Sequence, residues 1–494
     1  MQLPFGEWLP DQPDHLNPGA TVATNVYHAQ SSYKPVKGLV AYSGTSNVTQ
    51  NAKGAGSFRD NTNTVFTFVG TKDNIYKLTS GTFSSVKGSL TISGGDTDFF
   101  TFTQFGQFVI ASNGVNPPMY YEMGTSTNFA TLQSLASASG SGTVPAKFKV
   151  SGVIRDFLVT GNIEGAKNRV AWSGINDIST WEAGVSSSDT QDLPGSGGQV
   201  VAITSGEVGY VFREDQIIRM DFVGGNVVFR FSVISPNRGA VYGQTVCQDN
   251  RQVFFYASDG FFQINGDQIL PIGAEKVNRF FDGDLNKAYT DRITAAVDPF
   301  NTLAIWLYPS KDNPNTTGIC DKLLIYNYVT QKWSVAKVKA SQIFKQFVVA
   351  NTVELMDIIS ENLDDINISL DTAYWTTGHL YLGAVDENFK AAIFSGKTLE
   401  AELETKEQEI FPGLRANVTG IRPIVDAVAN VTIKTRDRLA DNVITSSSST
   451  MNDTGINPVR QSGRYFRANV KIPAESIWTN AQGIDLTASQ GGSR

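Results

Sequence analysis

The chain has 494 residues, 41% hydrophobic and 18% charged, which makes it globular and long enough for more than one core. Its 40 basic and 47 acidic side chains give a net charge of −7, the wrong sign for a general nucleic-acid binder. Two cysteines, Cys247 and Cys320, are too few for a disulfide framework or a Cys-x-x-Cys metal site, and they suit synthesis in a reducing compartment. The first residues lack the cationic and apolar regions of a signal peptide, and no apolar run is long enough to cross a membrane, so no membrane insertion is expected. From Lys397 onward, 12 basic groups meet 11 acidic ones, so the acidity lies upstream, where 28 face 36. An acidic wall lets DNA slide past without sticking.

Residues 1–45 carry Pro4, Pro10, Pro13, Pro18 and Pro35, which block regular ladders and predict an extended arm. Phe5, Trp8, Leu9, Val22, Val26 and Tyr27 are too many apolar groups for a solvated tail, so the arm packs on its own domain or on a neighbour. Lys37–Tyr42 reads as a strand that closes a ring. A cassette of strand, tight turn, strand, turn and strand then recurs. Copies lie at Val65–Val86, Phe108–Leu132, Phe157–Trp181, Gly209–Ile234, Val253–Pro271, Leu303–Val338 and Leu380–Leu399. The first six start roughly 45–50 residues apart, the spacing of propeller blades. One such sheet cannot bury both faces, so the copies must stack around an axis.

Glu275–Leu285 and Thr352–Leu363 show helical spacing of apolar residues and predict short helices between blades. Ser134–Thr143 and Ser186–Gly198 read as surface loops. From Lys397 the rhythm changes to longer strands, at Leu399–Glu404, Ala416–Val425, Ala429–Lys434, Arg464–Ile472 and Gly483–Ala488, with a polar loop at Ile444–Gly455. The predicted fold is therefore all-β: a β-propeller of six or seven blades over 46–396, an extended N-terminal arm over 1–45, and a separate β-sandwich-like domain over 397–494.

Catalysis needs converging groups, and the sequence offers few. His15, His28 and His379 lack metal-ligand spacing. Gly195-Ser196-Gly197-Gly198 lacks the Lys-Ser/Thr pair of a phosphate loop. Asp282 and Asp284 imitate part of a calcium loop, but Leu285 stands where a ligand belongs, so a turn at a helix end is expected. Ser173–Trp181 and Ala257–Phe261 are similar to fragments of the sialidase Asp-box without its full order. No enzyme activity, cofactor or metal is expected. Between Ile410 and Lys471, nine basic groups, among them Arg415, Arg422, Arg436, Arg438, Arg464 and Arg467, oppose four acidic ones. They read either as a solvated face with local ion pairs or as a docking face for an acidic partner such as the next subunit. With Phe5, Trp8 and Leu9 they form the candidate interface.

Five segments carry a family resemblance. The opening FGEWLPDQPDHLNPGATVATNVYHAQSSYKPV, the middle NRVAWSGINDISTWEAG, VGYVFREDQIIRMDFVGG and VFFYASDGFFQING, and the closing NDTGINPVRQSGRYFRANVKIPAESIWTNAQGIDL resemble the tail hub or nozzle proteins of short-tailed phages, also called packaged-DNA stabilisation or tail accessory proteins. The resemblance rests on the style and order of segments over most of the chain. It implies a virion protein assembled in the bacterial cytoplasm as a homo-oligomer, a hexameric ring below the portal and its adaptor. Such a ring extends the DNA channel, passes genomic DNA without reading its sequence, and carries fibres or spikes and a plug or needle. The family brings no catalytic residues. The alternative is a monomeric carbohydrate-binding or glycosidase-type propeller.

Overall fold

The computed structural model describes residues 1–491 apart from Leu16, 42–47, Ser80, Asn226, 314–317 and 348–379. The helix expected at Thr352–Leu363 and the histidine at 379 lie outside the described residues. The chain is a β-propeller. Five separate four-stranded antiparallel sheets follow one another: 55–85, 101–131, 148–192, 200–235 and 247–271. A sixth set pairs Thr294–Asp298, Leu303–Tyr308, Cys320–Asn327 and the first half of Lys332–Phe347. The second half of that long strand opens a seventh set with Leu380–Asp386 and Ala391–Ile393. Its last strand, Val40–Ala41, comes from the other end of the chain.

Each cassette supplies the outer strands of a sheet, and the innermost strand precedes it. These inner strands, Ala55–Arg59, Thr101–Phe105, Phe148–Ile154, Val200–Ile203, Cys247–Asp249, Thr294–Asp298 and the end of Lys332–Phe347, surround one axial channel of about 930 Å³. The first and last of them touch, which shuts the ring. Hydroxyl and amide side chains stitch neighbours together. Thr103 Oγ1 donates to the Ser151 carbonyl at 3.1 Å, and Gln248 Nε2 donates to the Ser205 carbonyl at 2.7 Å. Between sheets the faces are apolar: Phe157, Val211, Met220 and Phe229 share one core, and Phe66, Phe68, Val109 and Tyr121 another.

Two expected loops are partly regular. Leu132–Ser139 is a helix whose Leu132 and Ala136 are buried one turn apart, and its serines face outward. Asp189–Asp192 is the outermost strand of the third sheet, paired with Arg169–Trp172. The helix expected at Glu275–Leu285 spans Asn278–Asp284.

The N-terminal segment is not a loose arm. Gln2–Pro4 pairs with Ala481–Gln490, and Val22–Thr24 pairs with Ala401–Glu404. Thr24 also bridges Val335 in parallel, so the sixth sheet and the C-terminal strands belong to one 14-stranded sheet. A second sheet contains Val26–Ala29, Ser32–Pro35, Ala481–Gln490, Ala416–Val425 and Asn457–Gly463. The C-terminal strands therefore do not stand apart: one core joins Trp8, Phe261, Trp306, Trp333, Val431 and Ile484. Trp8 is only 3% exposed and packs edge-on against Phe280 at 4.9 Å. Trp8→Ala is expected to cost about 3 kcal/mol or more through lost burial and a cavity. A urea-unfolding midpoint within error of wild type would show that the segment is not part of the core.

Candidate functional site

The candidate interface residues part company in the structure. Phe5, Trp8 and Leu9 are buried in the chain's own core and offer no surface to a neighbour. That corrects their assignment: the hydrophobic gain that suits them to a docking face has already been taken within the chain.

The arginine cluster divides in two. Glu404 and Glu407, almost fully buried, lie beneath it. Arg436 holds Glu407 with both ends of its guanidinium, Nε to Oε1 at 2.8 Å and the second nitrogen to Oε2. The hydrogen bonds to Glu407 hold the Arg436 guanidinium above its ordinary pKa. Lys434 Nζ lies 2.5 Å from Glu404 Oε2, and Arg467 reaches Asp14 at 3.1 Å and Glu404 at 3.6 Å. Thr21 Oγ1 and Asn469 Nδ2 donate to Glu404 as well. Asp14 and Thr21 belong to the N-terminal segment, so this network fastens that segment to the C-terminal strands. Arg415 pairs with Asp437 at 3.2 Å, and Arg464 is half-buried with its backbone N–H on the Arg436 carbonyl. Arg422 and Arg438 are exposed. Arg436 and Arg467 are thus structural, spent on internal carboxylates, and only the exposed remainder faces solvent.

The buried pair is costly to break. Glu407→Gln leaves the Arg436 guanidinium without its charge partner and is expected to destabilise by about 3 kcal/mol. Exchanging Glu407 and Arg436 together for apolar residues should cost less, a difference that a double-mutant cycle on unfolding midpoints would read.

Other singled-out motifs resolve as turns and ties. The glycines of 195–198 wrap Arg213, which is 2% exposed and donates to the carbonyls of Pro194, Gly195 and Gly198 and to Gln216 Oε1. Sequence reading passed over this arginine; its only signal was the adjacent glycine-rich stretch, whose carbonyls turn inward. Asp177 accepts from Ser179 and Thr180 and shapes the Asp-box-like turn. Asp284 accepts from Tyr308 Oη at 2.7 Å and from Lys322 Nζ at 2.8 Å. Asp282 pairs with Lys287 at 2.6 Å. Among the described residues no group of three or more His, Cys, Asp or Glu is placed to hold a metal ion. Cys247 and Cys320 are free and buried, and burial pushes both thiols up.

The axial channel is the main opening at the centre of the disc. Its wall mixes hydroxyls and amides with Lys149 and Lys345 against Glu214 and Asp291. Gln342 is buried in that wall with its Oε1 unpartnered.

His28 is a buried histidine in the N-terminal segment. Its Nε2 takes a hydrogen bond from Lys332 Nζ at 3.0 Å, and its ring stands edge-on to Tyr33. Burial first, and Lys332 second, lower its pKa to about 4. The unfolded chain titrates near 6.5. The depressed group therefore contributes full stability above about pH 6.5 and loses it as pH falls towards 4. His28→Gln is expected to flatten that slope, and an NMR titration should find the imidazole still neutral at pH 5.

No protein-family model and no curated protein matches the chain. Among solved structures, it is similar to a chain of the mitotic checkpoint complex, at 9% identity and a TM-score of 0.35 over 75% of this chain and 98% of that one. It is similar to the WD40 domain of Neurospora crassa Pan2, at 9% identity and 0.36 over 74% and 96%. The extracellular domain of a putative one-component system from B. thetaiotaomicron, BT4673, gives 10% and 0.37 over 88% of this chain and 52% of its own. At these scores the likenesses carry no argument about activity.

Proposed function

We propose that this chain is a structural subunit of a short-tailed phage tail, a nozzle or hub protein that forms a ring extending the DNA channel below the portal adaptor. The observation that carries the reading is how the chain uses its groups. Its buried carboxylates and guanidiniums tie distant segments of the chain together, while apolar side chains such as Ile477, Phe300 and Val329 stand exposed at loop tips. A body built this way is suited to contact with other subunits. The resemblance of five segments to tail hub proteins supports the same reading.

In this reading residues 46–396 supply the disc, and the N-terminal and C-terminal segments fasten to it and face the adaptor. The acidic balance of the first 396 residues keeps passing DNA from sticking to the ring. Fibres or spikes and a plug or needle dock on its outer surfaces. A second reading, a monomeric sugar-binding propeller, draws on one feature, the unpartnered amide oxygen of Gln342 in a hydroxyl-rich channel.

Light scattering and negative-stain imaging separate the two. The first expects rings of about six copies of the 53.6 kDa chain. A single-copy particle at every concentration that also retains a host glycan would sink it in favour of the second.

A further inference from the structure

Alternation along a strand sends residues two apart to the same face. Three neighbouring strands of the 14-stranded sheet, Ala401–Glu404, Tyr465–Ile472 and Asn430–Arg436, lie side by side in that order. Their register sets Glu404 directly opposite Asn469, and Lys434 opposite Arg467. Lys434 is therefore the diagonal neighbour of Asn469, a spacing that a long side chain spans. An acid, a carboxamide and an amine, one from each strand, meet on one face.

The three groups are in direct contact. Glu404 Oε2 lies 2.5 Å from Lys434 Nζ and accepts from Asn469 Nδ2 at 3.0 Å. One oxygen atom thus serves both nitrogens. The other oxygen, Oε1, accepts from Thr21 Oγ1 at 3.0 Å and faces Arg467 at 3.6 Å, which fixes how the carboxylate is turned. Asn469 Nδ2 also donates to Glu402 Oε1 at 2.8 Å. Glu404 is 1% exposed, Asn469 3%, and the Lys434 side chain 30%. Burial of that kind keeps water from competing as the nucleophile. Arg436 and Arg467 stand on the same strands, but a guanidinium stays protonated and does not attack carbonyl carbon. A lysine amine becomes a nucleophile once it has lost a proton.

We infer that Lys434 and Asn469 join through an amide bond between their side chains, formed by the folded chain itself with Glu404 as the proton carrier. Glu404 Oε2 takes a proton from the Lys434 ammonium. The freed Nζ electron pair attacks Asn469 Cγ, and the new C–N bond makes that carbon tetrahedral. The protonated carboxyl passes its proton to Nδ2, the Cγ–Nδ2 bond breaks, and the carbonyl reforms. A second proton follows the same route, so Nδ2 departs as ammonium and Glu404 ends as the carboxylate it began as. No electron is gained or lost, and no cofactor or second molecule enters. The bond staples the strand Asn430–Arg436 to the strand Tyr465–Ile472 beneath the N-terminal segment, closing the chain across the polar loop at 444–455. It does not depend on whether the chain forms a ring.

Mass spectrometry of the denatured full chain tests this. The wild type is expected lighter than its sequence by one ammonia, about 17 Da. A proteolytic digest should then yield one branched peptide that joins the strand of Lys434 to that of Asn469. Lys434→Arg keeps a positive charge facing Glu404 without the amine, and should show the full mass and two separate peptides. Folded Glu404→Gln should likewise stay unlinked. A wild type at full sequence mass, or a lighter one whose digest lacks the branched peptide, overturns the bond. A folded Glu404→Gln chain that still forms the branch overturns the part given to Glu404. The wild-type and Lys434→Arg masses decide the bond even if Glu404→Gln fails to fold.

Discussion

The ring is completed by pairing its two ends: the seventh sheet takes its last strand, Val40–Ala41, from the N-terminal segment, more than 300 residues from the strand it joins. Until that strand is in place, the sheet exposes an edge and an apolar face, and nothing binds the last sheet to the first. The same segment reaches on through Val22–Thr24 and Gln2–Pro4 into the C-terminal strands. One piece of chain thus closes the disc and fastens its companion sheets. Such long-range pairing carries a loop-closure cost before any contact is gained, so closure belongs late in folding.

Charge is used in the same way. Glu404 and Glu407 sit where strands of the 14-stranded sheet meet the N-terminal segment, and Arg436, Lys434 and Arg467 converge on them. Apolar residues there would pack as well, but they would not set register. Paired buried charges penalise every alternative alignment of the strands, because a slipped strand leaves a charge unpaired. We attribute the position of the segment at 14–21 to this penalty.

The cassettes were readable because the strands second from the axis bury both faces between sheets, as in Val65–Gly70 and Leu303–Tyr308, and such strands are runs of apolar residues. The innermost strands were not, because one face lines a watery channel. Thr101, Thr103, Lys149, Ser151 and Gln248 dilute the apolar pattern below recognition. The helix at Leu132–Ser139 was hidden for a related reason. Serine and alanine suit a loop as readily as a helix, and only the burial of Leu132 and Ala136 selects the helix.

By itself, then, the sequence determined the repeat, the all-strand character and the places where turns fall, since these follow from periods of two and from glycine, proline and polar residues read locally. It also showed that the N-terminal segment is too apolar to be free. Tertiary structure alone decided where that segment goes, which arginines are consumed and which are free, and which apolar side chains stay in water. Those outcomes depend on partners hundreds of residues away: Trp8 on Phe280, Arg467 on Asp14, Val40 on Ile393. No local pattern encodes a contact whose other half lies across the fold.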